Sequence, residues 1–299
     1  MLHGVFAPIV TPFAPENGEI DHPWIPRHLA YLQDHGCDGV IVCGTNGEAA
    51  SLSVAERMAV LETALGAAGR LVIVAGTGAA ALPDAVSLTR HAFAMGADAV
   101  LVMPPFYYKR PPDAGVAAWY ARLCDAAVPA GGKLMLYHIP QVTGVPFTDS
   151  LIDLLLQECG DLIYGIKDST GDPAEGVRIR SRYPQFAYFS GNDRLVAEAC
   201  LGGGAGSITA GANVFPDLVA KVQRAVAEEG DVAGTQATLS AARAVLESVP
   251  LQPATKAALT LVAGLPATAV RPPQAELSAG QLAGLQAALR SYLPEWRPA

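Results

Sequence analysis

Residues 161–172 read DLIYGIKDSTGD and place a lysine where an apolar segment ends. Residues 162–166 form a run of strand length, and Lys167 closes it before polar turn residues begin. Burial disfavours the charged form of an amine. Two interpretations stand side by side: Lys167 extends its ammonium group to solvent from the strand end, or it is an uncharged nucleophile that forms a Schiff base with a carbonyl substrate.

Other predicted strands also end in residues that could serve such a reaction. Thr45 and Asn46 stand between glycines in a loop whose N–H groups and short polar side chains could hold a carboxylate, although an ordinary turn would look the same. Tyr137 lies near the end of the strand next to that of Lys167, and its hydroxyl could transfer protons to a carbinolamine. His138 should face the helices instead, in a structural role, because neighbouring strand residues point to opposite faces.

Three further segments could shape a site. Residues 103–112, MPPFYYKRPP, form a loop stiffened by prolines, whose tyrosines either reach a site or pack against a helix or another subunit. Small residues at 190–194 and 207–211 would leave room for a ligand. The glycine run at 202–204 precedes the last strand, at the opposite end from the site, so it is interpreted as a turn.

The elements that must position these residues alternate between apolar runs and amphipathic segments. The predicted strands are 4–10, 39–43, 71–75, 99–103, 133–138, 162–167, 186–189 and 206–209. The predicted helices are 23–35, 54–68, 83–95, 113–127, 148–158, 173–182, 194–201 and 216–229. This order predicts an α/β fold, a closed (β/α)8 TIM barrel with its chemistry at the carboxyl ends of the strands. An open doubly wound sheet is the alternative, disfavoured because no GxGxxG follows the first strand.

The strand pattern stops after Gly230. Residues 1–229 are therefore predicted to form the catalytic barrel, and residues 230–299 a C-terminal extension of three helices at 231–248, 255–262 and 276–292, separated by prolines.

Composition narrows the possible partners. A net charge of −8 argues against nucleic acid, and no apolar run is long enough to span a membrane. The N-terminus does not resemble a signal peptide. The five cysteines are scattered and indicate reduced thiols of a cytoplasmic protein, and the histidines form no metal-binding motif, so no metal site is expected.

Five motifs in order and spacing resemble one family over nearly the whole chain. They are GTNGE at 44–48, PFYY at 105–108, YHIP at 137–140, GIKDSTGD at 165–172 and SGND at 190–193. The chain thus resembles the dihydrodipicolinate synthase / N-acetylneuraminate lyase family of pyruvate-dependent class I aldolases. The resemblance implies a barrel with a C-terminal helical extension, assembled as a homotetramer of tight dimers, without a cofactor other than the covalent imine with the substrate.

The resemblance also assigns roles to single residues. It implies that Lys167 forms the imine with pyruvate or another 2-oxo acid and that Tyr137 relays protons. Thr45 would link Tyr137 to a second tyrosine, Tyr107, contributed by the partner across the tight dimer interface. The positions implied to contact pyruvate are Thr45, Asn46, Gly191 and Ile208.

Three departures from the family pattern bear on the substrate. Val142 replaces the arginine that binds the distal carboxylate in dihydrodipicolinate synthases. Without that arginine, the binding free energy of a substrate carboxylate should be less favourable by on the order of 2 kcal/mol or more. Asn46 replaces a hydroxyl residue, but its amide can still donate to a carboxylate. Arg194 stands where sialic acid lyases tend to have an acidic residue, and it could suit an acidic substrate.

The sequence therefore predicts a Schiff-base lyase that reversibly cleaves a 2-oxo acid to pyruvate and an aldehyde, with a 2-keto-3-deoxy sugar acid as one candidate substrate. The alternatives are a 4-hydroxy-tetrahydrodipicolinate synthase proper and a sugar acid dehydratase using the same imine. A non-catalytic pyruvate-binding barrel is a third. The identity of the aldehyde is expected to depend on Gln141, Val142, Asn192 and Arg194.

Overall fold

A computed structural model describes residues 2–292 as a closed barrel of eight parallel strands that follow one another in chain order. The strands are β1 Gly4–Pro8, β2 Gly39–Val42, β3 Val72–Gly76, β4 Ala99–Val102, β5 Leu134–His138, β6 Ile163–Asp168, β7 Ala187–Ser190 and β8 Gly206–Ile208. Helices cover the outside of the barrel, which confirms the predicted (β/α)8 TIM barrel and excludes the open sheet.

The helices number twelve within residues 2–292. They are α1 Trp24–Asp34, α2 Val54–Gly66, α3 Leu82–Ala94, α4 Asp113–Ala127, α5 Pro140–Thr143, α6 Asp149–Cys159, α7 Pro173–Arg182, α8 Val196–Leu201, α9 Pro216–Ala227, α10 Val232–Leu246, α11 Leu251–Ala263 and α12 Ala279–Tyr292. At α2 the predicted start is confirmed, because Ser53 and Glu56 form a reciprocal capping box.

Strand pairing fixes which side chains face the barrel interior. Tyr137 of β5 lies opposite Lys167 of β6, and His138 lies opposite Asp168. The strand β6 extends one residue beyond its predicted end, because Asp168 still pairs with both neighbouring strands. Inside the barrel, Phe6 contacts Phe189 edge to face at 5.4 Å between centroids, a contact worth about 1 kcal/mol beyond its burial.

Helices α10 to α12 follow the barrel and pack against it through an apolar cluster. Trp24 of α1 is buried in this cluster, and its indole N–H donates to the carbonyl of Pro266 at 2.9 Å. Such burial removes apolar surface from water on both partners. The division into a barrel at 1–229 and an extension at 230–299 stays a prediction, and residues 293–299 of that extension lie outside the described residues.

Within residues 2–292, no helix combines the length and the apolar character needed to cross a membrane. All five cysteines, which lie in this part of the chain, are free thiols, four of them buried.

Candidate active site

A cavity of about 340 Å³ opens at the carboxyl ends of the strands. The predicted site residues that line it are Thr45, Asn46, Tyr137, Lys167, Gly191 and Ile208. These come from strands β5, β6 and β8 and from the loops after β2 and β7, so the barrel brings together residues separated by more than half of the chain. The arrangement agrees with the general position of active sites in such barrels.

Lys167 is the buried amine of this cavity. Only 4% of the residue is exposed, and its Nζ lies 4.1 Å from the centroid of the Tyr137 ring. Among residues 2–292, no carboxylate oxygen lies within 4.0 Å of that nitrogen. A buried amine that faces a cavity without a carboxylate partner is positioned to react with a carbonyl carbon.

Tyr137 connects this amine to the loop after β2. Its hydroxyl lies 3.1 Å from Oγ1 of Thr45, within hydrogen-bonding distance. Burial alone would raise the pKa of Tyr137. The positive charge of Lys167 and the side-chain hydrogen bonds from Thr45 and Lys167 act in the opposite direction, and their combined effect is larger than that of burial. Ser169 adds a further hydrogen bond, and the pKa of the phenol is lowered overall. A phenol that loses its proton more easily can serve as a base as well as an acid.

The loop after β2 is held in an unusual backbone conformation. Cys43 and Glu48, at its two ends, have φ values of 57° and 52°, in the left-handed region that non-glycine residues rarely adopt. Between them, Asn46 is buried, and its Nδ2 has no hydrogen-bond partner among the described residues. Buried donors are normally satisfied, so this amide is available to an acceptor in the cavity such as a carboxylate.

An ion pair that sequence reasoning missed anchors the loop to the C-terminal helices. Nζ of Lys256, in α11, lies 2.5 Å from Oε1 of Glu48, and both side chains are 1% exposed. The other carboxylate oxygen of Glu48 accepts the backbone N–H of Arg271 at 3.0 Å. Burial lowers the pKa of Lys256, and Glu48 opposes that effect without cancelling it.

Three predicted site residues lie outside the cavity in this single chain. Tyr107 is 73% exposed and packs edge to face on Tyr108, and Val142 of α5 borders a neighbouring cavity beside Phe106. Arg194 is exposed, and its guanidinium pairs with the carboxylate of Glu247. The roles given to these three residues by the family resemblance stay predictions.

His138 occupies the position expected from strand alternation, facing the helices. It is buried, and its Nδ1 lies 3.6 Å from Oδ1 of Asp168 and 3.5 Å from Oε1 of Glu175 in α7. Burial lowers the pKa of His138, although the two carboxylates oppose the shift. The ring therefore contributes to packing between the barrel wall and α7, and it does not line the cavity.

Two charged residues of the cavity were missed by sequence reasoning. Arg243 lies in the last turn of α10 and Glu247 caps its end, and both line the cavity that contains Lys167. The only sequence signal is their i,i+4 spacing, which places them on one helix face but does not indicate what that face contacts.

Comparisons with known proteins agree with this geometry. The model of the dihydrodipicolinate synthetase family matches residues 1–292. A DapA-like lyase of Chloroflexus aurantiacus is 47% identical over 295 residues, covering 99% of this chain and 98% of that protein. A 4-hydroxy-tetrahydrodipicolinate synthase of Methylococcus capsulatus is 36% identical over 252 residues, covering 83% and 82%.

Among solved structures, the chain is similar to YagE, a prophage protein of the dihydrodipicolinic acid synthase family from E. coli K12, in complex with pyruvate. The TM-score is 0.89 at 26% identity, over 98% of this chain and 99% of that one. The resemblance first indicated by five short motifs is thereby confirmed. This chain belongs to the dihydrodipicolinate synthetase family and is a lyase of that family.

Proposed function

We propose that this protein forms an imine between Lys167 and pyruvate and reversibly cleaves a 2-oxo acid, a 2-keto-3-deoxy sugar acid in our hypothesis, to pyruvate and an aldehyde. The observation that carries the proposal is the buried amine of Lys167 at 4.1 Å from the Tyr137 ring, in one cavity with the amide nitrogen of Asn46, which has no hydrogen-bond partner among residues 2–292. The pyruvate bound in the YagE complex supports the choice of 2-oxo acid.

The cleavage can be written with all atoms accounted for. The neutral amine of Lys167 attacks C2 of the 2-oxo acid to give a carbinolamine. The carbinolamine hydroxyl leaves as water with the proton of the Tyr137 phenol, which gives a protonated imine and a Tyr137 phenolate. The C3–C4 bond breaks, its electron pair moves towards the iminium to give an enamine, and the C4 hydroxyl proton passes to Tyr137. The aldehyde departs. The enamine then takes a proton at C3 from the Tyr137 phenol. Water hydrolyses the resulting protonated imine to pyruvate and the free amine, and the proton released returns to the Tyr137 phenolate.

We expect the reaction to need no separate cofactor, because the protonated imine itself accepts the electron pair. The carboxylate of pyruvate would accept from the N–H groups of Thr45 and Asn46 and from the Asn46 side chain. Gly191 and Ile208 would line the pyruvate end of the cavity. As a separate finding, residues 2–292 contain no cluster of three or more His, Cys, Asp or Glu side chains able to hold a metal ion.

Assembly and location are also part of the proposal. The exposed aromatic pair Tyr107 and Tyr108 supports a tight dimer in which Tyr107 enters the partner's site, within a homotetramer. The free thiols support a reducing compartment, the cytoplasm.

Reduction with borohydride in the presence of pyruvate tests the imine. We expect one irreversible adduct, located on Lys167 by peptide mass spectrometry, because reduction converts the imine to a stable secondary amine. Lys167→Arg should abolish the adduct. The control Lys133→Arg, at the opposite end of the barrel where β5 begins, should retain it. An unlabelled wild-type protein, or an adduct on another lysine, would contradict the proposal.

Product analysis separates the alternatives that share the imine. A 2-keto-3-deoxy sugar acid yields pyruvate only through carbon–carbon cleavage, whereas a dehydratase releases water and keeps the carbon chain. Turnover of aspartate semialdehyde with pyruvate would instead indicate a 4-hydroxy-tetrahydrodipicolinate synthase. The apolar side chain of Val142 disfavours this activity, because it cannot bind the carboxylate of aspartate semialdehyde. An adduct without turnover of any 2-oxo acid would indicate a non-catalytic barrel.

A further inference from the structure

We propose that Arg243 and Glu247 determine the aldehyde specificity by binding the hydroxyl groups of an uncharged, polyhydroxylated aldehyde. The inference rests on the proposed lyase function and adds the recognition of the second substrate. It assigns to the C-terminal helix α10 a direct part in the site.

The positions of the two residues indicate which part of the substrate they contact. Both line the cavity of Lys167, but Lys167 is 4% exposed, whereas the Glu247 side chain is 36% exposed. The imine therefore forms at the closed end of the cavity, and Glu247 lies towards its open end. The Arg243 side chain, 13% exposed, lies next to Glu247, to which it is hydrogen-bonded. A substrate bound through its 2-oxo group at Lys167 would extend its remaining carbons towards them.

The charge of Arg243 is already balanced by two carboxylates. Its Nε donates to Oε1 of Glu247 at 2.9 Å, and its Nη1 donates to Oδ2 of Asp193 at 3.1 Å. Glu247 in turn pairs with Arg194. Negative and positive side chains thus alternate along this chain of contacts, in the order Asp193, Arg243, Glu247 and Arg194. Their net charge is zero.

This balance favours hydroxyl groups over an anionic group. A carboxylate or phosphate on the substrate would have to compete with Glu247 for the guanidinium. A hydroxyl group can accept from the guanidinium of Arg243 and donate to the carboxylate of Glu247 without separating the pair. Hydrogen bonds to charged partners are stronger than those between neutral groups, so such contacts can select a polyhydroxylated ligand.

Three further side chains of the lining are polar and uncharged. Gln141, Thr170 and Asn192 line the cavity beside the apolar Leu251. Among the described residues, the charged side chains that line the whole cavity are those of Lys167, Arg243 and Glu247. Nε2 of Gln141 donates to the carbonyl of Ser169 at 2.7 Å, which fixes the orientation of its amide. The whole set offers both donors and acceptors, as the hydroxyl groups of a sugar-like chain require.

Three short-chain aldehydes test the wild-type enzyme. We would measure kcat/KM in condensation with pyruvate for glyceraldehyde, which carries two hydroxyl groups, for propanal, which carries none, and for succinic semialdehyde, which is anionic. We expect glyceraldehyde to exceed propanal by about tenfold or more, as hydrogen bonds to charged groups allow. A wild-type preference for succinic semialdehyde or for propanal would overturn the proposal.

Two variants assign the preference to these residues. Glu247→Ala removes an acceptor at an exposed position, so the ratio of kcat/KM for glyceraldehyde to that for propanal should fall towards one. The kcat/KM for succinic semialdehyde should rise, because Arg243 loses a competing carboxylate. Arg243→Lys keeps a cation beside buried Asp193 but loses the planar fork, and it should weaken the glyceraldehyde preference as well. An unchanged preference in both variants would overturn the inference.

Helix α9 offers matched controls. Arg224 lies in its last turn and Glu228 caps its end, with the same spacing as Arg243 and Glu247, and neither lines the cavity. Glu228→Ala and Arg224→Lys should leave all three rates unchanged, and a loss equal to that of the cavity variants would overturn the assignment.

The borohydride adduct with pyruvate should persist in every variant. Absence of the adduct in the wild type would contradict the lyase function itself. An adduct in the wild type, together with an unaltered aldehyde preference in the Arg243 and Glu247 variants, would contradict only this inference.

Discussion

At the residue scale, the phenol of Tyr137 is held between a cation and a hydroxyl. The side chains of Tyr137 and Lys167 meet because the two residues pair across β5 and β6 and therefore point to the same side of the barrel wall. Thr45 approaches from the loop after β2 and fixes the position of the phenolic oxygen. A base, a nucleophile and a positioning group thus come from three separate segments.

The hydrogen bond from Thr45 should be visible in the pH dependence of the enzyme. It is one of the contacts that lower the pKa of Tyr137, so its loss in Thr45→Val should raise that pKa. If Tyr137 acts as the base, the limb of the kcat/KM profile that reports its deprotonation should move to higher pH, with a fall in rate at neutral pH. Steady-state assays across pH would measure both effects.

Tyr137→Phe identifies which limb belongs to the phenol. In that variant the limb should disappear together with most of the activity, by about a hundredfold or more, as is typical for loss of a general acid or base. A Thr45→Val profile that coincides with that of the wild type would show that the hydrogen bond does not tune the phenol.

At the element scale, the loop after β2 depends on a helix that lies far away in sequence. Glu48 ends the loop in a left-handed conformation, and Lys256 of α11 neutralises its buried carboxylate. A buried carboxylate without a cation is strongly unfavourable. The C-terminal helices therefore help to hold Thr45 and Asn46 at the cavity, in addition to covering one side of the barrel.

Lys256→Met should both destabilise the protein and weaken pyruvate binding. The unpaired carboxylate of Glu48 should lower the free energy of unfolding by about 3 kcal/mol or more, as for other broken buried ion pairs. Because the loop loses its anchor, the KM for pyruvate should rise more than kcat falls. Denaturant unfolding at fixed protein concentration and steady-state kinetics provide the two readouts.

An exposed lysine supplies the comparison for this variant. Lys221→Met, on the outer face of α9, should change neither quantity. Loss of stability in Lys256→Met with an unchanged KM would mean that the ion pair serves folding alone. An unchanged free energy of unfolding in Lys256→Met would mean that the ion pair contributes little to stability.

The elements of the barrel were predictable because their signals are local. The apolar run before Lys167 marks β6, and alternation along β5 separates the directions of Tyr137 and His138. The four-residue helix α5 is too short to show periodicity. Helix α11 begins at Leu251 and not at residue 255, because Pro253 lies in its first turn, where no N–H is needed.

Contacts between distant segments were not predictable from the same signals. Glu48 and Lys256 are separated by 208 residues, and neither carries a local mark of its partner. In the same way, the spacing of Arg243 and Glu247 does not show that their helix face closes the mouth of the cavity. The motifs at the strand ends therefore identify the reacting groups, whereas the groups that support them and select the aldehyde require the tertiary structure.

At the scale of the whole molecule, the single chain leaves an aromatic surface uncovered next to the site. Tyr107 and Tyr108 are both 73% exposed, and Val142 is 53% exposed. Thr45 borders the cavity of Lys167 and also the neighbouring cavity lined by Phe106 and Val142. A second chain that covers this surface would bury the aromatic pair and bring a tyrosine close to Thr45.

Mixing two inactive variants tests whether Tyr107 acts across an interface. Lys167→Ala lacks the nucleophile and Tyr107→Phe lacks the second phenol, so each alone should have low activity. In mixed dimers, the Lys167 of one chain meets the Tyr107 of the other, and about a quarter of wild-type activity should return if subunits exchange at random in a two-fold dimer. Tyr108→Phe, equally exposed and in contact with Tyr107, should remain active alone. Activity that stays low after verified subunit exchange would show that each chain completes its own site, because only a tyrosine shared between chains can be restored by mixing.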